Sequence, residues 1–143
     1  MTPSFRHSIT VRYGECDMQR VVFNANYLAY VDDAVDNWMR SALSSQLEQT
    51  GDPTNLHNVG FDFMVKKATV TWTSAVRFAE TVDLDCSVSR WGTTSFDVEV
   101  LGSVSGSERF ISSVTYVSVD PQTQRPTAVP PLVKASLGFK KPS

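Results

Sequence analysis

The stretch of sequence that decides the fold is residues 11–30, VRYGECDMQRVVFNANYLAY. It begins as the end of an alternating strand, passes through a polar turn that carries Asp17, and continues into an amphipathic helix. A helix N-terminus presents unpaired backbone N–H groups and a partial positive charge. The sequence therefore places one carboxylate a few residues before a set of backbone donors. Acyl-transfer hydrolysis requires at least a group such as a carboxylate that attacks or activates water, and donors that stabilise the oxyanion.

The hydrophobic period changes on either side of this stretch. Residues 5–13 alternate between apolar and polar side chains and predict a half-buried first strand. From about Asn26 the apolar residues recur at helical spacing until Gly51-Asp52-Pro53 ends the predicted helix. Alternation then returns in three further segments, residues 69–76, 82–89 and 96–100, and residues 110–119 predict a last long strand that is apolar on both faces in places.

Turns are predicted at residues 91–94 and 102–107, and a short closing helix at residues 130–138. One long helix followed by an antiparallel meander is an α+β pattern. We therefore expect a single domain over residues 1–143 in which the helix buries its apolar stripe on the sheet.

Composition excludes several function classes. The net charge of −2 argues against a nucleic-acid partner, which would usually require a basic surface. No apolar run approaches the roughly 18 residues of a membrane span, so no membrane partner is expected. The first residues, MTPSFRH, lack the apolar core of a secretion signal, so a cytoplasmic location is expected.

The cysteines and histidines show no metal-binding or redox pattern. Cys16 and Cys86 have no CxxC spacing and are expected to be free thiols. A nucleophilic Cys16 would need a neighbouring base, and the sequence names none. His7 and His57 form no HxxxH or HExxH motif. We expect neither a metal nor a cofactor.

Residues 11–30 resemble the signature of the hotdog-fold acyl-CoA thioesterases, in particular the 4-hydroxybenzoyl-CoA thioesterase-like group. In that group an Asp in the first loop is followed nine residues later by an Asn-Tyr pair that opens the central helix, and Asp17 precedes Asn26-Tyr27 by this spacing. The order of strand, loop, long helix and four strands also matches. The resemblance implies a five-stranded antiparallel sheet wrapped around one long central helix, and assembly as a homodimer or homotetramer.

The resemblance also implies roles for individual residues. Asp17 would act either as a general base or as a nucleophile, and a backbone N–H near Asn24 would stabilise the oxyanion. Phe23, Tyr27 and Trp72 are candidates for lining the acyl pocket, although Phe23 and Tyr27 fit a core position equally well. Two neighbouring residues are expected not to react: Asn26 would brace the loop by hydrogen bonds, and Glu15 is a rival carboxylate outside the family's acid position.

This chain departs from the family pattern at three places. The family often has Gly where this chain has Arg20, and many members have His or Tyr at the position of Asn24. In some relatives a basic hairpin binds the phosphates of CoA, but residues 92–94 here read GTT, with only Arg90 adjacent. Arg90 is therefore predicted to bind phosphate; the alternatives are Lys66, Lys67, Arg77 and Arg20, or an acyl carrier other than CoA, such as an acyl-carrier protein.

Two function classes remain open. The first is an acyl-CoA thioesterase that hydrolyses a small-to-medium or aromatic acyl thioester to the free acid and thiol. The second is a non-catalytic acyl-thioester binding protein, because a fold does not determine a function. A hydratase or dehydratase is disfavoured, because such enzymes resemble a pattern with Asp and His in the loop, and no histidine lies between Asp17 and Tyr27.

Overall fold

Five strands and three α-helices follow one another in residues 5–139, the part of the chain that this computed structural model describes. Short 3₁₀ turns lie at Tyr13–Glu15 and Leu56–Val59. The elements, in chain order, are β1 (Phe5–Thr10), α1 (Asn24–Ala42), α2 (Ser44–Gln49), β2 (Asp62–Trp72), β3 (Thr81–Trp91), β4 (Ser95–Val104), β5 (Ser107–Val119) and α3 (Pro131–Leu137).

The strands form one open antiparallel sheet in the order β1-β3-β4-β5-β2. The last three strands form a meander because short turns connect them. The first two strands lie at opposite edges, because α1 carries the chain across the sheet between them. The predicted α+β arrangement, a five-stranded antiparallel sheet around a long helix, is confirmed.

Helix α1 packs on the sheet through the apolar stripe that the sequence predicted. The stripe has i, i+3 and i+4 spacing, so its members share one face of the helix. The opposing strands contribute the alternate residues of β3, β4 and β5, which are fully buried from Leu84 and Cys86 to Phe96, Val98 and Phe110. The buried residues of the stripe are Tyr27, Tyr30, Val31, Ala34, Val35, Trp38 and Met39.

The predicted single helix is in fact two helices. The chain leaves helical geometry at Leu43, where φ is −104° and ψ is 14°, and α2 begins at the next residue. Both Leu43 and Leu47 are fully buried, so the apolar periodicity continues across the break. Because periodicity reports which face is buried and not whether the backbone is continuous, the sequence pattern alone predicted one longer helix.

Strand β2 starts at Asp62, seven residues before the predicted start at residue 69, and ends at Trp72 rather than at residue 76. Residues 62–68 pair with β5 through a bulge between Val65 and Lys67, which breaks the alternation that the sequence analysis relied on. At the other end, the N–H groups of Thr73 and Ser74 both donate to the carbonyl oxygen of Arg109, at 2.8 and 3.1 Å. This shared acceptor ends the strand and begins the connection to β3.

The β4–β5 turn is tighter than the predicted segment 102–107. It consists of Ser105 and Gly106, with φ values of 50° and 80°. Positive φ at both central residues is typical of the type I′ turn that suits the twist of a hairpin. Gly102 therefore lies inside β4, opposite Phe110 of β5.

Candidate active site

Asp17 opens a tight turn that precedes α1. Its N–H donates to the carbonyl oxygen of Val21 at 2.9 Å, and its own carbonyl oxygen accepts the N–H of Arg20 at 3.0 Å. Its Oδ1 accepts the N–H of Gln19 at 2.8 Å. The side chain is exposed, and within residues 5–139 no donor contacts Oδ2. One carboxylate oxygen is thus held in place and the other is open to a reactant.

The N-terminus of α1 has free backbone donors. Phe23 occupies the N-cap position in an extended conformation and provides no side-chain hydrogen bond. Among the residues described, nothing accepts the N–H of Asn24 or Ala25, whereas the N–H of Asn26 donates to Phe23 at 2.8 Å. Unpaired N–H groups at the positive end of a helix are suited to stabilise an oxyanion.

The carbonyl oxygen of Glu15 ties the turn to the start of the helix. It accepts the N–H of Phe23 at 3.0 Å and the side-chain Nδ2–H of Asn26 at 2.9 Å. An isolated bridge between Cys16 and Val22 closes the same loop from the inside. The prediction that Asn26 braces the loop is confirmed, and these contacts join the Asp17 turn to the start of the helix.

Arg20 has a left-handed backbone conformation, with φ of 61°. This conformation strains an L-residue and is readily adopted by glycine. The geometry therefore accounts for the glycine that resembling sequences often carry here. Within residues 5–139 the guanidinium of Arg20 has no carboxylate within ion-pair distance.

The rival carboxylate, Glu15, is fully engaged by neighbouring groups. Its Oε1 accepts the backbone N–H of Arg12 at 2.8 Å and the hydroxyl of Tyr30 at 2.9 Å, and its Oε2 accepts the guanidinium of Arg12 at 2.8 Å. Burial opposes ionisation of Glu15, but the hydrogen bonds from Arg12 and Tyr30 outweigh it and lower the pKa of the carboxyl group. An acid held ionised by three donors is poorly suited to accept a proton.

A cavity of about 370 Å³ lies on the Glu15 side of the helix. Its charged lining groups are already paired, because Arg12 binds Glu15 and the Nε2 of His7 lies 2.8 Å from Asp33. Asp17 does not line it; the lining residues are Ile9, Arg12, Glu15, Asn26, Ala29, Tyr30 and Asp33.

The Glu15→Gln variant is expected to keep most of any turnover and to lose stability at neutral pH. Because folding lowers the pKa of Glu15, its contribution is present above the ordinary value of 4.5 and is lost as the pH falls through the folded value. Urea unfolding of wild type and variant should therefore differ near pH 7, and the difference should shrink as the pH falls below 4.5. A stability difference that grew in acid would contradict this assignment.

The three predicted pocket residues have different environments. Tyr27 is 1% exposed, and its hydroxyl accepts the N–H of Val76 at 3.0 Å. Its ring meets the ring of Trp72 edge-on, with centroids 5.4 Å apart. Trp72 and Phe23 are 45% and 54% exposed. The structure thus brings Tyr27 and Trp72 together, with Tyr27 as a core residue, and leaves Phe23 and Trp72 with accessible apolar surface.

The segment that joins β2 to β3, residues 73–80, contacts the site loop and was not predicted to do so; only Arg77 within it was named, as a possible phosphate ligand. Val76 accepts the N–H of Val22 at 2.9 Å, Arg77 forms an isolated bridge with Val21, and the N–H of Phe78 donates to Arg20 at 3.0 Å. The sequence assigned the first half of this segment to a strand. Phe78 in this segment is exposed in the structure, but the sequence alone did not distinguish it from a core aromatic.

Arg90 lies far from Asp17 within the same chain. The Asp17 turn is bonded to residues 76–78, which lie just before the start of β3 at Thr81. Arg90 lies nine residues further along the strand, or roughly 30 Å. Its guanidinium binds both carboxylate oxygens of Asp97, at 2.7 and 3.2 Å, and Ser95 at 3.0 Å. The charge predicted to bind phosphate is thus neutralised by a neighbour within this chain.

The described residues contain neither a cluster of potential metal ligands nor a helix long and apolar enough to cross a membrane. Cys16 and Cys86 are free thiols. Burial, together with the charges of Glu15 and Asp17, raises the pKa of Cys16 and so disfavours its nucleophilic thiolate.

An open antiparallel sheet wrapped around one long helix is the hotdog fold, and the family match identifies the protein as a thioester hydrolase with this fold. The model of the thioesterase-like superfamily matches residues 11–137, so the chain belongs to that superfamily. A search among curated proteins found no significant match.

Solved structures share this fold at low sequence identity. A gentisyl-coenzyme A thioesterase is 18% identical, with a TM-score of 0.74 over 93% of this chain and 98% of that one. A 1,4-dihydroxy-2-naphthoyl-CoA thioesterase from Synechocystis is 12% identical, with a TM-score of 0.74 over 93% and 94%. A hypothetical protein from Staphylococcus aureus, solved in complex with CoA, is 17% identical, with a TM-score of 0.78 over 95% and 83%.

Proposed function

We propose that this protein is an acyl-CoA thioesterase that hydrolyses a small-to-medium or aromatic acyl thioester to the free acid and thiol. The observation that carries the proposal is the anchored carboxylate of Asp17, with Oδ2 open, on the loop that leads into the unpaired N–H of Asn24. Superfamily membership supports thioester hydrolysis as the reaction.

In the proposed reaction the thioester carbonyl oxygen accepts the backbone N–H of Asn24. As charge develops on that oxygen, the donor and the helix dipole stabilise it. As a general base, Asp17 takes a proton from the attacking water. The C–S bond then breaks, and the departing thiolate takes up a proton.

As a nucleophile, Asp17 instead attacks the carbonyl carbon and expels the thiolate to form a mixed anhydride. Water then hydrolyses the anhydride to the acid. A single turnover in H₂¹⁸O identifies the nucleophilic route if label appears on Asp17. Water that attacks the anhydride at its aspartyl carbonyl leaves the label on Asp17, whereas the general-base route labels only the product acid.

The acyl group is proposed to lie against Phe23 and Trp72, with Tyr27 behind it. Their exposed apolar surface supports this placement, because binding of an acyl group would remove it from water. Tyr27 contributes through its edge-on contact with Trp72 rather than by direct exposure. Two structurally similar proteins are thioesterases for aromatic acyl-CoA esters, which supports an aromatic acyl group here.

The Arg90→Gln variant tests the predicted phosphate contact. If Arg90 binds a phosphate of CoA, KM for an acyl-CoA should rise about tenfold, the value of one charge-assisted hydrogen bond. KM for the same acyl group on N-acetylcysteamine, which has no phosphate, should not change. If Arg20→Gln or Arg77→Gln raises KM instead and Arg90→Gln does not, the contact belongs to the arginine whose substitution raises KM.

The protein is further proposed to assemble as a homodimer or homotetramer and to act in the cytoplasm. The outer edge of β2 has no strand partner within residues 5–139, and Met64 and Val65 on that strand are exposed. An unpaired strand edge with exposed apolar side chains can pair with the same edge of a second copy. Sedimentation that detected only monomer would contradict the assembly.

Release of free thiol from short, long and aromatic acyl-CoA esters and from an acyl-carrier protein tests the activity. Turnover that depends on Asp17 would support the thioesterase, and the best substrate would define the pocket. Acyl-CoA that raises the melting temperature without being hydrolysed would favour the alternative, a non-catalytic acyl-thioester binding protein. The exposed apolar surface of Phe23 and Trp72 suits binding as well as catalysis, and so keeps this second candidate open.

A further inference from the structure

Arg109, on β5, holds the segment that joins β2 to β3 with both its backbone and its side chain. Its carbonyl oxygen accepts the N–H groups of Thr73 and Ser74. Its guanidinium donates to the carbonyl oxygen of Ala75 at 2.8 Å and to the two carboxylate oxygens of Glu80 at 2.9 and 2.8 Å. We call Arg109, Ala75 and Glu80 the Arg109 clamp. It fastens residues 73–80 near both ends.

Glu80 extends the clamp into the middle of the segment. Its Oε1 also accepts the backbone N–H of Arg77 at 2.7 Å, and its carbonyl oxygen accepts the N–H of Val11 at 2.9 Å. The side chains of Arg109 and Glu80 are only 18% and 25% exposed, so water screens their interaction weakly. The hydrogen bonds from Arg109 lower the pKa of Glu80, which remains ionised at neutral pH.

The clamped segment in turn holds the loop of the candidate site. Val76 binds two elements of the site, because its carbonyl oxygen accepts the N–H of Val22 and its N–H donates to the hydroxyl of Tyr27. The N–H of Phe78 donates to the carbonyl oxygen of Arg20, which lies in the Asp17 turn. These three hydrogen bonds fix the end of the Asp17 turn and the first turn of α1. Among the hydrogen bonds described, none joins Arg109 directly to that turn.

We propose that Arg109 is a positioning residue for thioester hydrolysis. Through Ala75 and Glu80 it fixes residues 73–80, and these set the position of the Asp17 carboxylate relative to the N–H of Asn24. The inference rests on the proposed function. A guanidinium is required because its planar fork binds both oxygens of Glu80 while a further N–H binds Ala75, which an ammonium cannot do in the same geometry.

The test compares Arg109→Gln, Arg109→Lys and Glu80→Gln with a control, Arg6→Gln. Arg6 forms an equivalent two-pronged pair with Asp85, at 2.6 and 2.9 Å, that does not contact residues 73–80. We expect Arg109→Gln to lower kcat about 100-fold, as a displacement of about 1 Å can, with little change in KM. Arg109→Lys should restore part of kcat. Arg6→Gln should leave kcat near that of the wild type.

Glu80→Gln should lower kcat nearly as much as Arg109→Gln, and the double variant should be no worse than either alone. Such non-additivity is expected when two residues act through one interaction. If kcat per folded molecule is unchanged while the melting temperature falls, Arg109 is only structural and the proposal is overturned. If Arg109→Gln does not fold, Arg109→Lys and Glu80→Gln are judged by the same criteria.

Amide hydrogen exchange gives a readout that does not depend on turnover. Exchange at Val22 and Phe78, whose N–H groups bind across the loop, should accelerate in Arg109→Gln and not in Arg6→Gln. Unchanged exchange at these amides would overturn the positioning role. Absence of turnover in the wild type would instead overturn the proposed function, and the exchange result would still decide whether the clamp holds the loop.

Discussion

Replacing Asp17 with asparagine is expected to lower kcat for the best acyl-CoA substrate about 10³-fold or more. A positioned base typically contributes 10²–10⁴-fold, and a nucleophile at least as much. Asparagine retains an Oδ1 that can accept the N–H of Gln19, so the turn should persist while the charge and basicity are lost. Affinity for CoA should stay close to that of the wild type. Steady-state kinetics and calorimetric binding of CoA measure the two quantities separately.

Asp52→Asn is the matched control for this substitution. Asp52 is also exposed, and its Oδ1 accepts the N–H of Thr54 at 3.0 Å in the same type of turn. It lies in the connection after α2, outside the candidate site. The control should retain full turnover. An Asp17→Asn variant that kept more than a tenth of wild-type kcat would exclude Asp17 as the essential base or nucleophile.

Replacing Gly102 with alanine is expected to lower the free energy of unfolding by about 3 kcal/mol, at the upper end of typical overpacking costs. A Cβ at Gly102 would lie 2.1 Å from Cε1 of Phe110, with two further ring atoms within 2.6 Å. Phe110 is fully buried, and its ring centroid lies 5.0 Å from that of Tyr27. The ring therefore cannot move aside without displacing Tyr27. Urea unfolding should show a lower midpoint with an unchanged slope.

Gly14→Ala is the control for the glycine substitution, because a Cβ at Gly14 meets no atom within 4 Å and its φ is not positive. It should change stability by much less. The double variant Gly102→Ala with Phe110→Leu has a smaller side chain at the clashing position. It should recover part of the lost free energy of unfolding. If Gly102→Ala were as stable as the wild type, the close packing of Phe110 over β4 would be contradicted.

Much of the fold was predictable from local pattern. The apolar stripe from Tyr27 to Met39 predicted which face of α1 is buried, and the alternation in β3 and β4 predicted which of their faces meets it. These signals succeed because burial imposes a period of 3.6 on a helix and of 2 on a strand. The spacing of Asp17 before α1 is equally local, so the turn and the helix start that define the candidate site were also predictable.

The connection from β2 to β3 was not predictable in the same way. Its shape depends on Arg109, more than 30 residues away from Ala75 in sequence, and on Tyr27, which lies 49 residues before Val76. Similarly, Arg90 carries a charge whose availability depends on Asp97 across the β3–β4 hairpin. A single sequence shows that such residues are present, but only the register between strands shows which ones meet.

The sequence by itself determined the order of the elements, the buried faces, and the carboxylate that precedes the helix, because each follows from spacing along a few neighbouring residues. Only the tertiary structure decided that the helix breaks at Leu43, that Glu15 is engaged and the Oδ2 of Asp17 is not, and that Arg109 clamps the loop beside the site. The physical reason is that these outcomes depend on hydrogen bonds and ion pairs whose partners meet only when the chain folds.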